Sequence, residues 1–270
     1  MKRVLVTGAS GHLGSKLFAS LDQADRYSVS GLDLQPSSHP SIHTADLTTD
    51  GLWVEQLRGV DTIVHFAGDR EPTASWESAI SNNMDATLRL YHHSVETGVK
   101  RVVLASSNWL QGGRRFGTEP LTPNLTPLPV NAYGMSKLFC ERTGAYFAEH
   151  FGLSVICVRI GWTQWTHNNE PGKHMAMGRW GQEMWLSDRD FLNGMQCAID
   201  AENIEFEILN LMSQNPGMRW DIEPTKNLIG YKPQDGHTAE VNIPIKLRST
   251  MINVVQRILP NFASKSFPEW

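Results

Sequence analysis

Cysteine is scarce in this 270-residue chain, which has only Cys140, Cys157 and Cys197. An odd, widely spaced set fits neither a disulfide framework nor a paired metal-ligand spacing. Free thiols in a reducing compartment, the cytoplasm, are therefore expected. Long apolar runs are missing as well. No stretch approaches the ~18 residues a membrane-spanning helix needs, so no membrane partner is expected. Met1-Lys2-Arg3 leads straight into an apolar run too brief for a signal peptide. Basic runs are also absent: the densest cluster in the first half, Gly98-Val99-Lys100-Arg101-Val102-Val103-Leu104, flanks a strand, and the formal charge is -4. That excludes the basic footprint of a nucleic-acid binder. His167 and His174 bracket Asn168–Lys173, but ligand spacing and acidic partners are lacking, so no metal is expected. There is no internal repeat and no low-complexity tract.

What is present is enough apolar material, 40% of residues, for one domain with at most a small elaboration. Short runs rich in Val, Ile and Leu recur at Arg3–Thr7, Tyr27–Leu32, Thr62–Phe66, Arg101–Ala105 and Ser154–Arg159. Such runs suit parallel strands covered on both faces. Between them lie segments of helical spacing. One places Leu13, Leu17, Phe18 and Leu21 on one face; another places Met84, Leu88 and Tyr91, then ends on Gly98. Strand and helix in alternation predict an α/β fold, a Rossmann-type doubly wound parallel sheet built from right-handed crossovers.

After Arg159 the rhythm breaks into an irregular segment carrying Trp162, Trp165, Trp180 and Trp185. Ser187-Asp188-Arg189-Asp190 reads as a capping box opening a helix to about Ala201. Phe206–Met212 predicts a strand, Thr225–Leu228 falls in a helix, and Asn253–Leu259 in a C-terminal helix. The Pro-rich stretch 120–129 reads as a loop. The domain reading is a dinucleotide-binding unit over 1–160 and a small C-terminal substrate-binding elaboration over 161–270.

Two motifs carry chemistry. Thr7-Gly8-Ala9-Ser10-Gly11-His12-Leu13-Gly14 sits between a predicted strand and a predicted helix. Its glycines permit a tight turn, close backbone approach to a pyrophosphate and close helix–strand packing, while the helix N-terminus offers N–H groups to the phosphates. Asp33, ending the second strand, suits the ribose hydroxyls and would repel a 2′-phosphate, so NAD is expected over NADP. His12 reads as a solvent-facing loop side chain and His65 as a packed one.

The second motif, Tyr133-Gly134-Met135-Ser136-Lys137, stacks Tyr and Lys at i and i+4 on one helical face. A nearby ammonium favours phenolate over phenol, which fits the tyrosine to take a proton from an alcohol. Ser107, ending the Arg101–Ser107 segment, can hydrogen-bond the same oxygen as it becomes a carbonyl.

Together these motifs resemble the extended short-chain dehydrogenase/reductases, the NAD-dependent epimerase/dehydratase family, over most of the chain. The resemblance implies cofactor contacts from Gly8, Ser10, Gly11, His12, Leu13 and Gly14. It adds Asp46 and Leu47 of Ala45-Asp46-Leu47, Phe66, Ala67 and Gly68 of Val64–Gly68, and Asn83 of the Asn-x-x-Ala-Thr motif. It also adds Ile160 of Val158–Gly161, Tyr133 and Lys137. The implied catalytic set is Ser107, Tyr133 and Lys137.

Within that family, Ala105–Asn108, Trp185–Phe191 and Ile229–Asp235 resemble uronate dehydrogenases, with Asn108 implied to contact the sugar. Members acting on nucleotide-sugars are usually longer, so a small sugar or sugar acid, oxidised at a hydroxyl carbon, is the expected partner. Three positions depart from that group's pattern. Arg70 stands where it has a serine after the fourth strand, and Trp162 where it has a serine after Arg-Ile-Gly. Arg179 is the nearest counterpart of its carboxylate-binding arginine. Arg70 or Arg179 suits a bidentate carboxylate clamp, and Trp162 or Trp165 suits stacking on a sugar face or, equally, packing inside an irregular loop. The alternatives are a nucleotide-sugar epimerase or dehydratase holding its NAD, and a non-enzymatic NAD sensor. A homo-oligomer, a dimer through the Tyr133/Lys137 helix, is expected by analogy.

Overall fold

The computed structural model describes residues 1–170 and 179–238, with Leu247 and Met251 as isolated positions. Seven strands form one sheet: β1 (Lys2–Thr7), β2 (Tyr27–Asp33), β3 (Ile42–Thr44), β4 (Thr62–His65), β5 (Arg101–Ser107), β6 (Ser154–Ile160) and β7 (Phe206–Leu211). Their order is β3-β2-β1-β4-β5-β6-β7, and every pairing is parallel. The sheet is therefore wound outward in both directions from the β1/β4 pair. At that switch point the following loops diverge and leave a crevice beyond the strand ends.

The helices are α1 (His12–Asp22), α2 (Trp76–Ser78), α3 (Ala86–Thr97), α4 (Ala132–Phe151), α5 (Arg179–Glu183), α6 (Asp188–Asp200) and α7 (Glu223–Ile229). Period-two alternation along the strands sends residues to opposite faces. Val4 and Val6 of β1 join a core with Leu17, Phe18, Phe191 and Trp220, while Leu5 between them joins a core with Leu90, Tyr91 and Phe147. Each face is thus sealed by its own helices, which is why the strands read as unbroken apolar runs. Gly98 and Gly152 end α3 and α4 in the left-handed region, at φ of 79° and 67°.

Two expectations shift. The face predicted from Met84, Leu88 and Tyr91 is off in phase: Leu88 is exposed, and Asn83, Ala86, Thr87, Leu90 and Tyr91 point inward. A π-helical stretch over Ala79–Asp85 precedes α3 and resets the register of everything after it. The edge strand β3 went unread because it has three residues and no apolar run. Half of the capping box forms: Ser187 Oγ accepts from the Asp190 N–H at 3.1 Å and opens α6 as read, but the Ser187 N–H donates to Ser213 Oγ at 3.0 Å while the Asp190 carboxylate accepts from Ser213, Gln234 and Asp235 instead. The predicted helix at Asn253–Leu259 and His174 lie outside the described residues. Cys140 and Cys157 are buried and Cys197 half-buried, all free thiols. No helix of the described residues is long and apolar enough to cross a membrane.

Candidate functional site

A cleft of about 1050 Å³ opens at the carboxyl ends of β1, β4 and β5, bounded on one side by the glycine loop and on the other by the start of α4. The glycines are there for backbone clearance. Gly8 has φ 68°, and a Cβ on it would meet the Ala67 nitrogen at 2.9 Å. A Cβ on Gly14 would meet the Gly8 carbonyl oxygen at 2.0 Å. The loop therefore folds tightly onto both β4 and α1. No side chain caps the first turn of α1, which follows Gly11, so the helix end faces the cleft as a site for anionic groups.

Asp33 leaves the end of β2 and is braced in place. Its carboxylate accepts from the Ser10 N–H at 2.8 Å and the Gln35 N–H at 2.9 Å. Farther along the same wall, Asp46 accepts from the Thr48 hydroxyl and N–H at 2.7 and 2.9 Å. Those bonds hold its carboxyl below the usual range. The cradle, the helix end and the oriented Asp33 carboxylate fit the pyrophosphate and adenosine ribose of a dinucleotide.

At the other end, Asn131 caps α4 by accepting from the Gly134 N–H at 2.7 Å, and the next turns place Tyr133 and Lys137 on the cleft wall. Both are buried. Lys137 Nζ donates to the Ala105 carbonyl at 3.0 Å and lies 5.8 Å from the Tyr133 ring centre. Ser107 Oγ accepts from the Trp109 N–H at 3.2 Å, which leaves its own O–H available to donate. Asn108 donates from Nδ2 to the Ile160 carbonyl at 3.1 Å, while its buried Oδ1 has no protein partner.

The structure brings nearly all the sequence-selected residues to this one cleft: Gly8, Ser10 to Gly14, Asp33, Asp46, Leu47, Phe66 to Gly68, Arg70, Ser107, Asn108, Tyr133, Lys137, Ile160 and Trp162 line it. Two do not. Asn83 is buried behind Gly68, its amide spent on the Asp69 backbone N–H (2.7 Å) and carbonyl (3.1 Å) and on the Ser136 hydroxyl (2.9 Å). It shapes the loop after β4 and does not face the cleft. Arg179 is absent from the wall as well. Helical spacing on α5 pairs it with Glu183, a buried carboxylate that Arg219 also holds at 2.8 Å.

His12 is not solvent-facing. It is buried beneath Trp165. His65 is packed as read, its ring nitrogens on the hydroxyls of Thr7 and Thr87 at 2.7 and 3.0 Å. The tryptophans divide. Trp180, Trp185 and Trp220 belong to the core, whereas Trp162 and Trp165 line the cleft. Trp162 is held there by a bridge to Trp185, its N–H donating to the Met184 carbonyl at 2.6 Å. Trp109 also lines the cleft; its place directly after Ser107-Asn108 was the signal for it. Among the described residues no cluster of three His, Cys, Asp or Glu side chains is arranged to hold a metal.

Residues 4–164 match the profile of the NAD dependent epimerase/dehydratase family. The chain is 32% identical over 254 residues to the NAD-dependent glucose-6-phosphate dehydrogenase of Haloferax volcanii, covering 86% of this chain and 93% of that enzyme. It is 28% identical over 260 residues to the L-arabinose 1-dehydrogenase (NAD(P)(+)) of the same organism, covering 89% and 100%. Among solved structures, the uronate dehydrogenase of Agrobacterium tumefaciens superposes with a TM-score of 0.73 at 26% identity, covering 100% of this chain and 91% of that one.

Proposed function

Because the chain belongs to the NAD-dependent epimerase/dehydratase family, we propose that it is a dehydrogenase that oxidises a hydroxyl carbon of a small sugar or sugar acid at the expense of NAD. The observation that carries this reading is the convergence of Ser107, Tyr133 and Lys137 on the wall of the cleft that also holds the glycine cradle and Asp33. NAD, when bound, supplies the hydride acceptor. Gly8 through Gly14 and Asp33 hold its phosphates and ribose. Tyr133 takes the proton from the substrate hydroxyl, Ser107 donates to the same oxygen as it becomes a carbonyl, and Lys137 keeps positive charge beside the phenol.

The substrate end is narrow and aromatic. Trp109 and Trp162 offer faces for a sugar ring, Asn108 lines the same wall, and Arg70 can hold an anionic substituent. A sugar, sugar phosphate or uronate all suit such a wall, in keeping with the glucose 6-phosphate, L-arabinose and uronate enzymes it resembles. The chain after Ile160 contributes Gly161 through Thr163 and Trp165 to this end, which supports a substrate-binding role for the region 161–270. The exposed stripe Met135, Phe139 and Tyr146 on α4 supports a dimer through that helix, and the three free thiols favour a reducing compartment such as the cytoplasm.

Purified protein is incubated with NAD and a panel of aldoses, aldose phosphates, uronates and nucleotide-sugars, and NADH formation and sugar products are followed. Stoichiometric NADH from one class establishes the activity. No NADH from any of them, with interconversion of a nucleotide-sugar instead, would replace this reading with an epimerase.

A further inference from the structure

Glu141 stands one helical turn beyond Lys137, so Tyr133, Lys137 and Glu141 form a single row on the inner face of α4. Its carboxylate is buried and fully engaged. Oε1 accepts from Ser106 Oγ at 2.6 Å and from Arg159 Nε at 2.9 Å, and Oε2 accepts from Arg159 Nη2 at 2.8 Å. Arg159, equally buried on β6, donates its remaining Nη1 to the Pro123 carbonyl at 3.1 Å. Three consecutive residues of β5 are therefore assigned in turn. Ala105 gives its carbonyl to Lys137, Ser106 gives its hydroxyl to Glu141, and Ser107 faces the cleft. In the β5/β6 register, Ser106 is opposite Arg159 and Ser107 opposite Ile160.

Stability alone does not call for this arrangement. Desolvating a carboxylate and a guanidinium consumes most of what their attraction returns, and an apolar pair of the same volume would serve the core as well. What apolar packing lacks is direction. A two-toothed guanidinium–carboxylate fork fixes both distance and angle; here it joins the helix bearing Tyr133 to β6, and the Ser106 hydroxyl ties the same carboxylate to β5, the strand that ends on Ser107. Reaction geometry is that sensitive: misplacement by about 1 Å costs on the order of a hundredfold in rate.

We propose that Glu141 is a positioning residue, which through Ser106 and Arg159 sets the separation of the Ser107 hydroxyl from the Tyr133 phenol without touching substrate or cofactor. The inference rests on the dehydrogenase reading for the identity of the reaction. It goes beyond the catalytic trio to what holds the trio in register.

Two variants test it on the full chain with whichever sugar the panel identifies. Ser106→Ala removes only the tie from β5 and leaves the Glu141–Arg159 pair intact. The double replacement Glu141→Met with Arg159→Met removes both charges at similar volume, so no lone charge is stranded in the core. Both are expected to bind NAD with unchanged Kd and to keep KM for the sugar within about twofold. The kcat falls about tenfold for Ser106→Ala and about a hundredfold for the double variant. A sugar deuterated at the oxidised carbon then shows a larger isotope effect on kcat than in the wild type, because misaligned chemistry has become limiting. If Ser106→Ala keeps the wild-type kcat and isotope effect, the network is scaffold only and the proposal fails, whether or not the double variant folds. A wild type that produces no NADH from any sugar would instead overturn the dehydrogenase reading beneath it.

Discussion

Trp165 lies over His12, with ring centres 4.1 Å apart and planes inclined at 42°. The indole comes from the irregular segment after β6 and reaches across to the glycine loop, where the guanidinium of Arg70, from the loop after β4, lies 5.4 Å from its ring centre. His12 is covered as a result. Burial, then the positive charge of Lys16, brings its imidazole down to about 4, with Arg70 adding to the effect and Asp188 opposing it.

That burial has a consequence for acid stability. In the folded chain His12 stays neutral down to about pH 4, while in the unfolded chain it takes a proton near its ordinary value of about 6.5. The unfolded state thus binds the extra proton between those limits. Stability is full above about pH 6.5, declines as pH falls toward 4, and stops declining from this source below it. The loss is at most about 3 kcal/mol. His65, lowered to about 3 by burial and then by Lys137, continues the decline to lower pH. His12→Phe keeps a ring under Trp165 but cannot titrate, so its Tm against pH is expected to be flatter than wild type between 6.5 and 4. An identical slope in the two proteins would show that His12 is already solvated.

Cofactor choice follows from Asp33. With both oxygens held by backbone N–H groups, the carboxylate cannot swing away from a 2′-phosphate. Two like charges about 4 Å apart cost on the order of 1–4 kcal/mol near a protein surface. NAD is therefore expected to outperform NADP in kcat/KM by roughly ten- to thousandfold. Replacing Asp33 with Ser and the exposed neighbour Leu34 with Arg should narrow or reverse that ratio. A wild type with equal kcat/KM for the two cofactors would remove Asp33 from the selectivity argument.

The legibility of this chain in its sequence was uneven for physical reasons. Parallel strands buried on both faces announce themselves as apolar runs, so β1, β2, β4, β5, β6 and β7 were readable, and the three-residue edge strand β3 was not. Local chemistry was readable too. Glycines at Gly8 and Gly14 and a Tyr–Lys pair one turn apart carry their reason within a few residues. Pairings between distant segments carry none. Nothing in the segment around Glu183 announces that Arg219 will reach its carboxylate from 36 residues away, and nothing near Asn83 announces that Asp69 and Ser136 will use up its amide. The tie between Glu141 and Arg159 is equally silent in one dimension. The tryptophans after β6 divide between core and cleft for the same reason: composition counts aromatics but does not assign them a side.

The contrast between Arg70 and Arg179 gives a substrate-charge test. Arg70 lines the cleft, more than half exposed, and among the described residues its ion-pair partner is Glu71 at 3.2 Å. Exchange of that weak surface pair for a substrate anion is cheap. For a uronate or sugar phosphate, Arg70→Met should raise KM by about ten- to hundredfold, the value of a charge-assisted hydrogen bond or two, and leave KM for a neutral aldose nearly unchanged. Arg179→Met should change neither KM, since its guanidinium is committed to Glu183 outside the cleft, though it lowers Tm. Loss of anionic-substrate affinity in Arg179→Met alone would return the clamp to α5.

Tyr133 offers the most direct test of the proton-transfer step. Its ring is buried beside Lys137 at the start of α4, so Tyr133→Phe removes one oxygen without opening a cavity or disturbing the Asn131 cap that begins the helix. The glycine cradle and Asp33 lie at the far end of the cleft, and NAD affinity should stay within about threefold of wild type while turnover falls by ~10²–10⁴, the range for losing a positioned acid–base group. Ser107→Ala removes a hydrogen bond to the same oxygen but leaves the base, so its loss should be smaller, on the order of ten- to a hundredfold. The two losses act on one oxygen atom and should therefore combine to less than their product in the double variant. Calorimetric titration with NAD separates binding from chemistry in each variant. Tyr133→Phe with wild-type turnover would mean that another group removes the proton, and the assignment of Ser107 as its partner would fall with it.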